Sequence, residues 1–226
     1  MSAPSPTVSS ITHDITAVVN FLVTKGLADD QNYPVRRELR DGRLEVQYHS
    51  AGLARSSVLR GKPYQDLYAE QLAARAYNIK MLDGALIQMS YEFAGALPVR
   101  SRLAFLPSPD LTEFQAAPEL YLEDLMYTEV VDPRAVTVPI RFDFDDRPGV
   151  ATELAHPRAH LTLGQYKNCR IATTAPLTPG AFVGFLLRSF YNTAMTAITG
   201  GSPVAEHRFA ATISGGEQAS IHIAVP

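Results

Sequence analysis

Cysteine is almost absent: Cys169 is the only one in 226 residues. No intrachain disulfide can form, and a zinc site built from thiolates alone is ruled out. Long hydrophobic runs are missing too. A membrane-crossing helix needs about 18 consecutive apolar residues or more, and the most apolar stretch, Ala181 to Leu187, falls far short. Met1 to Ser10 has no positively charged region followed by an apolar run, so no secretion signal is expected. These absences make a cytoplasmic protein with no membrane contact the expectation. An excess of positive charge is also lacking: 20 basic residues face 23 acidic ones, for a formal net charge of −3. Generic duplex binding draws on surplus Lys and Arg to release counterions, so it is disfavoured, although a local basic groove is not. Neither Gly-x-Gly-x-x-Gly nor a P-loop pattern occurs, which removes support for dinucleotide and ATP-driven chemistry.

Hydrophobic residues make up 46% of the chain and charged residues 19%. That balance leaves enough apolar surface to fold without staples. Between Ile11 and Leu27 the residues Ile15, Val18, Val19, Leu22 and Val23 recur at helical spacing and stop at Gly26. Leu44, Val46 and Tyr48 alternate with polar neighbours, as a half-buried strand does. Pro63 suits the first turn of a second helix carrying Tyr64, Leu67, Tyr68, Leu72 and Tyr77. The turn Asp83-Gly84 leads into two strands, Ala85 to Phe93 and Val99 to Leu106, joined as a hairpin through Ala94-Gly95-Ala96. Pro107 to Tyr121 carries three prolines and reads as an irregular or short-helical excursion. Strands follow at Val136 to Phe144, His160 to Leu163 and Cys169 to Thr173. A helix opens at Thr178-Pro179 and runs to about Ile198 before Gly200-Gly201. Apolar residues cover most of its circumference, which predicts a central core helix. Arg208 to Ile213 and Ala219 to Val225 flank Gly215-Gly216 as a terminal hairpin. The class is therefore α+β: a single domain, frayed over residues 1–9, with a mostly antiparallel sheet packed against a central long helix plus N-terminal helices.

The sharpest local signal is Val138-Pro139-Ile140-Arg141-Phe142-Asp143-Phe144-Asp145. Strand alternation puts Arg141, Asp143 and Asp145 on one face and Ile140, Phe142 and Phe144 against the core. Asp is depleted in strands, and like charges crowded on one face are costly unless a metal, a substrate or an arginine clamp uses them. Downstream, His156-Pro157-Arg158-Ala159-His160-Leu161-Thr162-Leu163 allows both histidines to face together, with His160 and Thr162 opposite Leu161 and Leu163. If this strand pairs with the Arg141–Asp145 strand, then Asp143, Asp145, His160 and His156 meet, with Cys169 and Arg170 one strand further on. Three chemistries fit that set. His160 could act as general acid or base, with Asp143 orienting it and Arg141 or Arg170 on a phosphoryl group. The two Asp and two His could hold a divalent metal, although no metal ligand is assigned. Asp145, His156, Cys169 and Arg188 could help bind an anionic or nucleotide ligand. Against all three stands a structural ion pair of Arg141 with Asp143 and a His160 that only caps a loop.

Other residues carry weaker signals. Cys169 as a nucleophile with His160 as base competes with the commoner role of a small core residue. Arg188 lies among apolar neighbours in the last long helix and, if buried, needs a carboxylate such as Asp143 or Asp83. Glu123, Asp124 and Glu129, around Tyr121 and Tyr127, either add carboxylates to the site or form a solvated face. His13 and His49 read as surface residues. Arg36, Arg37, Arg40 and Arg43 form the one local cationic group, diluted by Glu38, Asp41 and Glu45, and would be the place for nucleic-acid contact.

Six runs together resemble a bacterial family of unknown function, numbered 2290. They are residues 82–89, 102–109 and 139–145, then His156-Pro157 with 160–164, Asn168-Cys169-Arg170-Ile171, and Leu187-Arg188-Ser189-Phe190-Tyr191. The resemblance spans roughly Tyr64 to Thr193 and implies no activity. A looser resemblance is to small bacterial toxin and defence-associated proteins, in which an Arg-x-Asp strand precedes His-Pro-x-x-His; here the matching residues are Arg141, Asp143, His156 and His160. It implies an anti-phage or toxin-type setting, with RNA or a nucleotide as ligand. Two classes of function follow. One is a non-catalytic module binding a protein partner, a second copy of itself or a small ligand. The other is a phosphodiesterase or ribonuclease-like enzyme using the His/Asp/Arg cluster.

Overall fold

Thr7 caps the first helix, α1 (Val8–Thr24), in a reciprocal box: its hydroxyl accepts the Ser10 amide at 3.1 Å and its own amide donates to the Ser10 hydroxyl at 2.8 Å. The frayed start expected over 1–9 therefore does not reach residues 7–9, which form the cap and first turn. The structure is a computed structural model that describes residues 4–50, 62–109, 138–165, 168–191, 195 and 207–225. The elements after α1 are β1 (Ala28–Gln31), β2 (Pro34–Glu38), β3 (Leu44–Tyr48), α2 (Tyr64–Ala73), β4 (Ile79–Met81), β5 (Leu86–Ala94) and β6 (Leu97–Leu106). They continue with β7 (Ile140–Asp145), β8 (Ala159–Leu163), β9 (Arg170–Ala172), α3 (Pro179–Phe190) and α4 (Gly215–Gln218).

The nine strands among the described residues join one sheet, in the order β1-β4-β5-β6-β7-β8-β9, and the β2–β3 hairpin attaches through β3 to β5. Every strand pair is antiparallel. The nine residues of β5 give it room for two neighbours on one edge: β4 pairs with Leu86 and Ile87, and β3 pairs from Tyr91 to Phe93. The hairpin from β5 to β6 turns at Gly95, whose φ of +60° suits glycine.

Alternation sorts the sheet into two unlike faces. Ile87, Met89, Tyr91, Phe93, Leu103, Phe105, Ile140, Phe142 and Leu161 make the main core with α1 and α3. Ile11, Ile15, Val18, Val19 and Leu22 of α1 and Phe182, Val183, Leu186 and Leu187 of α3 close it. On the other face α2 sets Leu67 and Tyr68 over Tyr77, Leu86 and Leu106. Beyond that small cluster the second face is polar.

Three expectations change. The described part of the last helix is 12 residues long, ending at Phe190 with Tyr191 as its cap, and it shares the core face with the longer α1. Its apolar circumference thus reflects two neighbours, sheet and α1, and not a central position. The remainder towards Ile198, apart from Met195, lies outside the described residues, as do residues 110–121 of the proline-bearing excursion. No hairpin surrounds Gly215-Gly216: Ser214 and Glu217 form a capping box that turns this segment into α4. Sequence periodicity also missed β1, β2 and β4, which are short and partly exposed or only three residues long.

The start of α3 rests on one side chain. The Thr178 hydroxyl accepts the Ala181 amide at 3.3 Å, just ahead of Pro179. Thr178→Ala is expected to cost about 1 kcal/mol, read as a lower urea midpoint with an unchanged slope.

Candidate functional site

Strand register turns the polar face into rows. In the first, Arg37, Glu45, Glu92, Arg100 and Asp145 are successive cross-strand partners from β2 to β7. Arg37 meets Glu45 at 3.2 Å, Arg43 and Arg100 meet Glu92 at 2.9 and 3.1 Å, and Arg43 meets Asp41 at 2.7 Å. Arg147 holds Asp145 through its Nε at 2.8 Å. Burial would raise the pKa of Asp145, but the Arg147 hydrogen bonds outweigh it and leave the carboxyl below its ordinary range. Charge in this row is matched: Arg37, Arg43, Arg100 and Arg147 against Asp41, Glu45, Glu92 and Asp145.

The next two rows differ. Ser90, Arg102, Asp143 and His160 are successive partners from β5 to β8. Beside them run Gln88, Ala104, Arg141, Thr162 and Arg170, reaching β9. Asp143 accepts a hydrogen bond from Arg102 Nε at 2.9 Å and another from Arg141 Nε. Burial alone would raise its pKa; Arg102 and Arg141 overcome that and hold it at about 2. His160 is buried, its Nδ1–H donating to the Pro157 carbonyl at 2.8 Å and its Nε2 lying 3.8 Å from Asp143. Burial lowers its pKa to about 4, against the pull of Asp143. At neutral pH the ring is uncharged, and the carbonyl fixes which nitrogen carries the proton. The ring's hydrogen-bonded support is thus Pro157, whereas the sequence pointed to Asp143.

The strand register brings Arg141, Asp143, His160 and Arg170 together and sets Asp145 apart, while Arg188 lies on α3. Asp143 and His160 are direct partners, as are Arg141 with Thr162 and Thr162 with Arg170. The His156 ring stands edge-on to His160 with centroids 5.1 Å apart, and burial followed by Arg170 lowers its pKa. Arg170 donates to the Ala155 carbonyl at 3.3 Å. Asp145 belongs to the balanced row. Cys169 lies half-buried ahead of β9. Arg188 does not belong: it is exposed on α3, over the opposite face of the sheet. A long side chain at the rim of an amphipathic helix keeps its head in water, and Asp83 instead accepts the Tyr191 hydroxyl at 2.8 Å.

The arginines of the early basic group also disperse. Arg37 pairs with Glu45, Arg43 with Asp41 and Glu92, and Arg36 bonds Thr12 of α1 at 3.0 Å on the other face. Glu123, Asp124 and Glu129 lie outside the described residues. Among the described residues, no group of three or more His, Cys, Asp and Glu is placed to hold a metal ion. Asp143, the carboxylate nearest the histidines, is taken up by two guanidiniums. Two members of the site were missed. Arg102 was hidden in a strand read only for its apolar residues, although its alternation with Arg100 marks a polar face. Thr162 shares the face of His160 by alternation, but nothing along its own strand marks it as part of a site.

The family model described as Uncharacterized conserved protein (DUF2290) matches residues 27–225. The chain belongs to this family. The matched span holds all nine strands and every site residue named above, and the family's description carries no activity. No curated protein and no solved structure matches the chain. Among the described residues no helix is long and apolar enough to cross a membrane.

Proposed function

We propose that the chain is a cytoplasmic binding module for a small anionic ligand, held on the polar face around Asp143 and Arg141. The observation that carries this reading is charge. Among the described residues, Arg102, Arg141 and Arg170 stand in two adjoining rows with Asp143 as the one carboxylate between them. The neighbouring row, by contrast, is balanced. Burial lowers the pKa of Arg141, Asp143 opposes this, and Arg102 and Arg170 lower it further. A cation so disfavoured gains from an anion delivered to it.

The alternative is a phosphodiesterase or ribonuclease-like enzyme with His160 as acid/base. His160 and Asp143 are neighbours on this face, but a ring with a pKa of about 4 is a weak proton acceptor at neutral pH, far from the value that suits general base work. Binding is therefore the better supported reading. The likeness to bacterial toxin and defence-associated proteins supports a setting in bacterial conflict, since its four residues are those gathered here.

Thermal unfolding with nucleotides, sugar phosphates and dicarboxylates, each millimolar and at equal ionic strength, tests the proposal. At least one class should raise the wild-type midpoint by several degrees, and Arg141→Met should abolish the response. A folded wild type that ignores the whole panel sinks the reading.

A further inference from the structure

We infer that Thr162, flanked by Arg141 and Arg170, forms a subsite for a terminal phosphoryl group. This rests on the binding reading above and names its ligand class. The three residues are direct cross-strand partners on β7, β8 and β9, so their side chains leave the same face about 5 Å apart. Leu161 packs into the main core, and alternation therefore directs Thr162 to the face that carries Asp143 and His160. Thr162 is 6% exposed, and among the described residues its hydroxyl has no hydrogen-bond partner.

Such a hydroxyl is costly. Leaving a buried polar group unsatisfied costs roughly 1–3 kcal/mol, and valine of nearly the same shape would avoid that cost. The position makes sense when something accepts the O–H between two cations. An oxyanion does so: it accepts from the hydroxyl and from guanidinium N–H groups on either side. Arg141 commits its Nε to Asp143, which anchors the guanidinium on the polar face. Arg170 is steadied by the Ala155 carbonyl. Both keep further N–H donors. Burial, Arg102 and Arg170 together disfavour the charge on Arg141, the strain that a dianion relieves.

A terminal phosphate fits better than a phosphodiester within a strand. It carries close to two negative charges against the two guanidiniums, and its free end can approach without a chain continuing on both sides. An internal diester carries one charge and must lie along the surface with both neighbours. Carboxylates are planar and offer no third oxygen to the hydroxyl.

The test is titration of the full chain with inorganic phosphate at constant ionic strength, chloride serving as control, followed by calorimetry. Wild type is expected to bind phosphate, and Thr162→Val to bind it roughly tenfold more weakly. Thr162→Ser, which restores the hydroxyl, should recover the affinity. Without phosphate, Thr162→Val should melt at or above the wild-type temperature, because it removes an unsatisfied group and keeps the shape; this separates loss of binding from loss of fold. Equal phosphate affinity in wild type and Thr162→Val overturns the inference. So does a wild type that binds dicarboxylates from the broader panel but not phosphate, an outcome that leaves the general anion reading standing. A single-stranded RNA oligomer without a terminal phosphate is the last arm. It should not compete with phosphate, and competition dependent on Thr162 overturns the assignment of a terminal group.

Discussion

Asp143→Ala is expected to lower the stability of the fold by roughly 3–5 kcal/mol, the range for stranding buried charge by removing one partner. Asp143 is the common acceptor of Arg102 and Arg141, and its side chain is 12% exposed. Without it the guanidiniums of Arg102 and Arg141, on neighbouring strands, lose the carboxylate they share. Their own side chains are 23% and 20% exposed, so some water reaches them and the lower end of the range is the better expectation. Asp143→Asn keeps the shape and one acceptor oxygen and should lose less. Urea unfolding of the three proteins decides it. A loss in Asp143→Ala of less than about 1 kcal/mol would mean that the pairs are surface-like and contribute little. Phosphate offers an independent check: by filling the vacated anionic position, it should restore more stability to Asp143→Ala than to wild type.

Acid should weaken the fold well before ordinary carboxylates titrate, and His160→Gln should remove the first part of that loss. The folded-state pKa of His160 is about 4, below its value of about 6.5 in an unfolded chain. A depressed pKa means that the unfolded state binds the proton more readily, so stability is complete above about pH 6.5 and declines as pH falls towards 4. The gap corresponds to roughly 3 kcal/mol. Asp143 acts lower on the same scale. Its pKa of about 2 in the fold lies below the unfolded value of about 3.9, so its contribution is present above that value and is lost only as pH falls through about 2. His156, also lowered by burial and Arg170, adds to the upper step. Urea midpoints at pH 7, 5 and 4 are the measurement. The wild-type slope should flatten in His160→Gln, whatever the variant's stability at pH 7. Parallel slopes would show that His160 titrates as an exposed residue does.

The residues that were readable in advance are those whose periodicity acts at short range. The spacing from Ile11 to Leu27 marked α1, the alternation from Val136 to Phe144 (its first two residues outside the described ones) marked β7, and Thr178-Pro179 marked the start of α3. Each depends on neighbours along the chain; the element type is as expected, while α1 begins three residues earlier and β7 four residues later than its spacing indicated. The strands β1, β2 and β4 carry too few alternating residues to show a period. The Gly215-Gly216 pair looked like a hairpin turn because glycine suits many turns; the Ser214–Glu217 capping box was the better guide.

The site divides the same way. Sequence by itself determined that the chain is α+β, that β7 carries Arg141, Asp143 and Asp145 on one face, and that His160 and Thr162 share a face of their own strand. Those are consequences of a two-residue repeat within a strand. Only the tertiary structure decided which strand lies beside which, because register between strands is set by pairing distant in the chain. That pairing set Arg102 against Asp143, moved Asp145 into a balanced row and left Arg188 on the far side of the sheet. It also placed the unsatisfied hydroxyl of Thr162 between two arginines from neighbouring strands. Burial and partners are properties of the packed sheet, and neither can be read from the order of polar residues along one strand.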